Sequence, residues 1–229
     1  MKHIELIVSS CMIAGLATSV GSLTAFAQDN QMSFFLTSVN QGSGGDLGGL
    51  EGADNHCQML AESAGAGDLT WRAYLSTQGE ELTDENVVHA RERIGSGPWF
   101  NAEGVKIADS VDDLHSPGSN LTKQTILDEK GQEINGRTEK PNRHDILTGS
   151  RPDGTAFPGG FFPDMTCGNW TQNGDDNTAM VGHHDRIGPV DDSWAQSWNS
   201  AHPTRGCSID AIRSTGGDGL LYCFAETQD

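Results

Sequence analysis

The chain is poor in basic residues. It contains 14 lysines and arginines against 32 aspartates and glutamates, which gives a formal net charge of −18 at pH 7. Proteins that bind nucleic acid or anionic lipid need clustered positive charge to neutralise phosphates. The composition therefore argues against both partners, and it favours either a well-solvated acidic surface or cation binding.

Common catalytic motifs are absent as well. No serine lies in a Gly-x-Ser-x-Gly elbow or a Ser-x-x-Lys pair, and no glycine pattern suits a phosphate-binding loop. The cysteines and histidines show no Cys-x-x-Cys or His-x-x-x-His spacing, so we do not expect a structural zinc site. These absences predict a binding protein and not an enzyme.

No long uninterrupted apolar run is present. The N-terminal stretch carries Lys2 and Glu5 and several serines and threonines, so it is too short and too polar for a transmembrane anchor. It ends in Ala25-Phe26-Ala27, the small-x-small pattern that signal peptidase recognises. We predict a signal peptide at residues 1–27 and a secreted, periplasmic or cell-surface location. A lipoprotein attached at Cys11 is a weaker alternative, because the apolar residues follow that cysteine.

Residues 28–229 are predicted to form a single domain. Cleavage after Ala27 would remove one of the five cysteines. The four that remain are Cys57, Cys167, Cys207 and Cys223. An even number of cysteines in an oxidising compartment predicts two disulfides, but spacing alone leaves all three pairings open.

Hydrophobic periodicity indicates short regular elements separated by long loops. The predicted strands lie at 33–38, 69–76, 145–148, 179–181 and 219–225, and the predicted helices at 53–64 and 87–94. Residues 101 to about 141 are polar and rich in turn signals, and we predict that they form an insertion. The pattern is typical of an α+β domain.

An ordered series of motifs resembles the C-type-lectin-like fold in its endostatin-like branch. The motifs are Gly52-Ala53-Asp54-x-x-Cys57, Trp71-Arg72-Ala73-Tyr74-Leu75-Ser76, Gly149-Ser150-x-Pro152-Asp153-Gly154, Cys167-Gly168-Asn169-Trp170-Thr171, and Gly206-Cys207 before Leu221-Tyr222-Cys223. The resemblance implies short helices around a small antiparallel sheet, with long loops and two disulfides. It implies that Cys57 pairs with Cys223 and Cys167 with Cys207.

The same resemblance implies a secreted lectin-like protein that recognises a glycan or glycoprotein through its loops. Aromatic rings flanked by amides suit sugar rings, and the candidate ligand-binding residues are Trp194, Trp198, Asn199, His202 and Asn173. An adhesin that binds matrix-type proteins is the alternative.

Calcium is the candidate cofactor. Calcium-dependent lectins of this fold use a Glu-Pro-Asn or Gln-Pro-Asp triplet and a Trp-Asn-Asp run. The nearest matches, Lys140-Pro141-Asn142 and Trp198-Asn199-Ser200, lack the necessary carboxylate. A separate calcium site is predicted at Asp175, Asp176 and Asp185, since carboxylates are ligands that calcium prefers.

A metal-dependent hydrolase is the least favoured function. It would use His183, His184, Asp185 and His202, because imidazole is the commonest metal ligand in proteins. Neighbouring residues of a strand point to opposite faces, so His183 and His184 are not expected to share one ion. Whether the fold brings His202 close to His184 is left open by the sequence.

Overall fold

The computed structural model describes Met1 and residues 31–226, so all but the first residue of the predicted signal peptide lies outside the described residues. The elements are β1 (Phe34–Leu36), α1 (Gly49–Ser63), β2 (Trp71–Ala73), α2 (Ala90–Arg93), β3 (Trp99–Phe100), β4 (Lys106–Ala108), α3 (Val111–Leu114), β5 (Asp145–Leu147), α4 (Cys167–Trp170), β6 (Met180–His183), β7 (His202–Pro203), α5 (Ile209–Arg213) and β8 (Gly217–Ala225). The protein is thus α+β, with short elements and long loops. None of the helices in the described range is long and apolar enough to cross a membrane.

Strand β8 lies at the centre of the main sheet. The strand order is β1-β8-β5-β6-β7, and β2 also pairs with β8. The antiparallel sheet that the resemblance implied is present in part: β5 pairs with β8 in parallel, and the other pairs of this sheet are antiparallel. Parallel neighbours need a long crossover connection, and residues 148–216 provide it.

Helix α1 covers one face of this sheet. Its buried positions include Ala53, Cys57 and Ala61, which recur at the spacing of one helical face. The helix ends at Ser63, and Gly65 follows with a φ of 80°, the left-handed conformation common after a helix C-terminus. The predicted helix and its glycine stop are confirmed, although α1 begins earlier than expected, at Gly49.

The two expected disulfides are present. Cys57 of α1 bonds to Cys223 of β8, with their Cα atoms 5.6 Å apart. Cys167 bonds to Cys207, with a Cα separation of 5.7 Å, and this bond closes the long loop region. The first bond joins the helix layer to the central strand, and the second anchors a segment with few regular elements.

Residues alternate along β8 between two apolar cores. Leu221 and Cys223 pack in the first core with α1, whereas Leu220, Tyr222 and Phe224 pack in the second. The predicted insertion at 101–141 covers the second core with a set of buried apolar side chains, namely Ile107, Leu114, Leu121, Ile126 and Ile134. That segment is therefore packed against the sheet instead of projecting from it.

We expect the two disulfides to differ in their contribution to stability. The Cys57–Cys223 bond spans 166 residues and the Cys167–Cys207 bond spans 40. Chain entropy then predicts losses in the free energy of unfolding of about 5 and about 4 kcal/mol when each is removed. Chemical denaturation of the two double-alanine variants measures this difference. A larger loss for the Cys167/Cys207 variant would contradict the central role of the α1–β8 bond.

Candidate metal centre

Three histidines and an aspartate converge at one end of the sheet. Asp145 opens β5, His144 precedes it, His183 ends β6, and His202 opens β7. The side chains of His144, Asp145 and His183 are fully buried, while that of His202 is 28% exposed. The cluster therefore lies inside the protein, with its outer edge at the last strand of the sheet.

Strand register explains why three of these side chains meet. Asp145 lies directly opposite His183 in the β5–β6 pair, and directly opposed residues share a face of the sheet. His202 lies opposite Val181, which is two residues before His183 and so on the same face. His144 lies just before β5, so the alternation of side chains along that strand does not place it on the face opposite Asp145.

The distances match those between the ligands of one metal ion. Asp145 Oδ1 lies 3.0 Å from His144 Nε2, 3.4 Å from His183 Nε2 and 3.6 Å from His202 Nε2. Tetrahedral zinc, with bonds of 2.0–2.1 Å, places its ligand atoms about 3.3–3.4 Å apart. Ligand atoms of His144, Asp145 and His183 all lie within 4.8 Å of one another.

The other nitrogen of each ring is held by an oxygen. Nδ1 of His183 lies 2.7 Å from the Ala195 carbonyl, and Nδ1 of His202 lies 3.0 Å from the Pro203 carbonyl. Carbonyl oxygens only accept, so both Nδ1 atoms carry a proton. A neutral ring of this kind presents a lone pair at Nε2, as His183 does, whereas the hydrogen bond to the Asp145 carboxylate raises the pKa of His202 and favours a second proton on its ring.

His144 is oriented by a carboxylate. Its Nδ1 lies 3.2 Å from Asp185 Oδ1, and Asp185 is itself fixed by the backbone amides of Arg137 and Ile187. Histidines that bind metals generally donate their second nitrogen to a carboxylate or carbonyl in this way.

Several buried polar atoms of the cluster lack a hydrogen-bond partner in the described part of the chain. They include both carboxylate oxygens of Asp145 and Nε2 of His144 and His183. The His144–Asp145 pair is close but is not aligned as a hydrogen bond. Burying an unpaired carboxylate is costly, so this arrangement calls for a positive charge.

A proton could supply that charge. Burial opposes the charged form of His144, but the carboxylates of Asp145 and Asp185 outweigh it and raise the pKa of His144 to about 9. Burial likewise disfavours the ionised form of Asp145, yet His144 and His202 hold its pKa well below the ordinary value. A protonated His144 therefore compensates Asp145 without a metal.

Unlike His144, His183 does not carry a compensating proton. Burial and the nearby charge of His144 lower the pKa of His183 to about 4, so this ring is neutral near pH 7. Its Nε2 lone pair then faces the Asp145 carboxylate with no proton between them. A divalent cation would satisfy both atoms, since it accepts electron pairs from imidazole and carboxylate alike.

Gly216 leaves room beside the cluster. A Cβ atom at this position would lie 3.2 Å from His144 Nε2. The backbone there has a φ of 121°, a conformation that favours glycine. No side chain from position 216 therefore crowds the Nε2 edge of His144.

The structure does not bring the three aspartates of the predicted calcium site together within the described part of the chain. Asp175 accepts a hydrogen bond from Ser208 Oγ, and Asp176 lies exposed in the same loop. Both oxygens of Asp185 are engaged by backbone amides, one of them also by His144. Among the described residues, the group of acidic and histidine side chains close enough to share an ion contains none of these three aspartates.

The proposed ligand residues lie in different environments. Trp194 is 47% exposed, but Trp198 is 4% exposed and packs on Tyr74 with ring centroids 4.8 Å apart. Asn199 is buried as well, and its amide donates to the Tyr74 hydroxyl. A sugar ring cannot stack on Trp198 in this structure, because the core already covers it.

The two remaining candidates for ligand binding, Asn173 and His202, also differ in their environments. Asn173 is exposed in the loop that contains Asp175. His202 joins His183 and not His184, which the sequence left open, because the register places it on the face of His183. His184 points elsewhere, with Nε2 3.2 Å from the Asn135 carbonyl. The separation of His183 from His184 agrees with strand alternation.

Sequence reasoning missed His144 and Asp145. Asp145 is only the first residue of the strand predicted at 145–148, and His144 lies outside every predicted element. The available signal was a pair of ionisable residues directly before the apolar Ile146-Leu147, since a charged group at the start of a buried strand needs a partner. The partners come from β6 and β7, and spacing along the chain does not indicate them.

Comparison with known proteins assigns no family. No protein-family model matches the chain, and no curated protein matches it. The function is therefore argued from the geometry of the site.

We expect the two tryptophans of the loop region to differ sharply when replaced. Trp198→Ala should lower the free energy of unfolding by about 3–5 kcal/mol, because it removes a large buried side chain. Trp194→Ala, at a half-exposed position, should change it by less than about 1 kcal/mol. Equilibrium denaturation of both variants measures the difference, and equal losses would show that Trp194 also belongs to the core.

Proposed function

We propose that this chain is an exported, lectin-like binding protein that holds a transition metal of the zinc class at His144, Asp145 and His183, with His202 at the edge of the site. One observation carries the metal assignment: three histidine Nε2 atoms lie within 3.0–3.6 Å of Asp145 Oδ1. Imidazole suits zinc, copper, iron and nickel, whereas calcium prefers oxygen ligands. A zinc-class ion therefore fits the cluster better than calcium does.

The donor set favours a structural role for the metal. The side chains close enough to share one ion are those of His144, Asp145 and His183, and His202 lies outside this group at its partly exposed edge. The burial of all three closes an ion held there off from solvent, whereas a catalytic zinc site has to admit water or substrate. These features argue for a binding protein and against the metal-dependent hydrolase.

The cluster is coupled to an exposed loop. The backbone amide of His183 donates to the Ser197 carbonyl, and its Nδ1 donates to the Ala195 carbonyl. The segment between His184 and Ser197 contains exposed Trp194. A metal that fixes His183 would thus also fix this loop, as a surface for recognition requires.

Two further features support export and binding. Both disulfides are of the kind that persists in oxidising compartments. The motif resemblance implies a glycan or glycoprotein ligand, with a matrix-type protein as the alternative. A shared fold does not by itself identify a ligand, so the binding experiment below decides the ligand class.

The metal content of the purified mature chain tests the centre directly. We expect about one zinc-class ion per chain, and a fall to near zero in His183→Gln, which removes a ligand. His184→Gln is the matched control, because His184 is also buried but lies outside the ligand set. Asp185→Asn keeps every ligand and should weaken metal affinity by about 10- to 100-fold, since it releases the orientation of His144.

The effect of a chelator on thermal stability is a second test of the same metal centre. Metal at 1,000 times its dissociation constant adds about 4 kcal/mol to the free energy of unfolding, so a chelator should lower the melting temperature of the wild type and of His184→Gln. It should leave His183→Gln unchanged. A wild type that contains no metal and is insensitive to added zinc would overturn the metal assignment and support a protonated His144.

Binding of the mature chain to immobilised glycoproteins, before and after enzymatic deglycosylation, tests the ligand class. We expect binding to native glycoproteins and its loss after deglycosylation, because the recognised groups are on the glycan. Binding that survives deglycosylation would favour the adhesin. Failure to bind any glycan, glycoprotein or matrix protein would overturn the binding function.

A further inference from the structure

A polar groove lies on a part of the surface that the metal ligands do not line. It has a volume of about 510 Å³. Its lining includes Gln78, Glu80, Phe162, Asp164, Asn169 and Gln172. They come from two loops, at 78–80 and 160–177. None of the predicted ligand-binding or metal residues is among those that line the groove.

Hydrogen bonds fix one wall of the groove. The backbone amide of Gln78 donates to Asn169 Oδ1 at 2.7 Å, and Asn169 Nδ2 donates back to the Gln78 carbonyl at 3.1 Å. Gln78 Oε1 accepts from the Met165 amide at 2.9 Å. The two loops are thus joined by three bonds, and their shape does not depend on a ligand.

The turn α4 forms the base of this wall in an unusual conformation. Cys167, Asn169 and Trp170 have φ values of 49°, 54° and 68°. Such left-handed conformations of residues other than glycine cost about 1–3 kcal/mol each and are common at ligand-binding sites. The Cys167–Cys207 bond and the buried ring of Trp170, whose Nε1 donates to the Ser76 carbonyl, hold the turn in place.

The lining has the chemistry of a sugar site. The side-chain amides of Gln78 and Asn169 and the carboxylate of Asp164 are already hydrogen-bonded within the two loops and shape the groove. The lining groups that a sugar hydroxyl would contact are therefore the carboxylate of Glu80, an acceptor, and the amide nitrogen of Gln172, a donor. Phe162 is 45% exposed at the edge of the groove, and an exposed aromatic ring is a platform for the apolar face of a pyranose. Concave sites with a few such polar groups are typical of small-ligand binding.

Charge narrows the class of sugar. Glu80 and Asp164 contribute carboxylates to the groove, and the whole chain carries a formal charge of −18. Sialylated and sulfated glycans would be repelled by this field, whereas neutral sugars would not, and a cationic amino sugar would be attracted.

We propose that the groove between the loops at 78–80 and 160–177 binds a neutral or amino-substituted saccharide. The proposal rests on the proposed binding function and names the place and the ligand class for it.

The test uses the mature, disulfide-bonded chain with four probes: oligomers of N-acetylglucosamine, oligomers of glucosamine, a sialylated oligosaccharide and a sulfated oligosaccharide. Calorimetry should show binding of the first two and none of the last two. Phe162→Ala should weaken binding by about tenfold, as expected for the loss of about 1.4 kcal/mol of stacking. Phe161→Ala is the matched control, because Phe161 is 77% exposed next to Phe162 but does not line the groove.

A second pair of variants tests the charge argument. Glu80→Gln should reduce the preference for glucosamine oligomers over N-acetylglucosamine oligomers by about tenfold. Glu85→Gln should preserve it, because Glu85 is exposed outside the groove lining. Thermal unfolding and metal content of each variant confirm that the fold is intact.

The outcomes separate this proposal from the one on which it rests. If the wild type binds these saccharides and Phe162→Ala binds as tightly, the sugar site lies elsewhere and the binding function stands. Equal losses in Phe161→Ala and Phe162→Ala would show a broad apolar contact surface and overturn the groove. A preference for the sialylated or sulfated probe would overturn the ligand class, and binding of no glycan in any format would overturn both proposals.

Discussion

Strand β8 has both faces buried, and the rest of the domain is arranged around it. It pairs with β1, β2 and β5, and its alternate side chains enter two separate apolar cores. Cys223 also links it covalently to α1. Because the other strands have only two to four residues, pairing among themselves would stabilise them little. Their positions follow from their contact with this nine-residue strand.

The long loops are held by local interactions, namely a buried cluster of charged and polar side chains and a disulfide. One end of the sheet carries the His144–Asp145–His183–His202 cluster, where a buried carboxylate faces imidazole nitrogens. The desolvation of Asp145 has to be offset by a proton or a metal ion, and the metal has the advantage of joining residues of β5 and β6. Elsewhere the Cys167–Cys207 bond holds a strained turn. Covalent and ionic links thus replace regular secondary structure in this half of the chain.

Such a construction suits recognition. Loops carry binding residues when a rigid scaffold positions them, and here the scaffold consists of β8, α1 and the two disulfides. The cluster of His144, Asp145 and His183 is buried, whereas the groove beside Gln78 is open and polar. The first lies within the scaffold and the second is accessible from the surface.

The sequence by itself determined the elements whose signal is local. Helix α1, strands β1, β2 and β8 and the buried position of Cys57 follow from periodicity, which reflects one buried face. The disulfide pairing followed from the motif resemblance and is confirmed. The tertiary structure alone decided that β5 runs parallel to β8, that Trp198 and Asn199 are core residues, and that His202 joins His183. These depend on register and on crossover connections between distant segments, and no spacing along the chain encodes the distance between His144 and His202. A cluster assembled from three strands becomes visible only when the strands are paired.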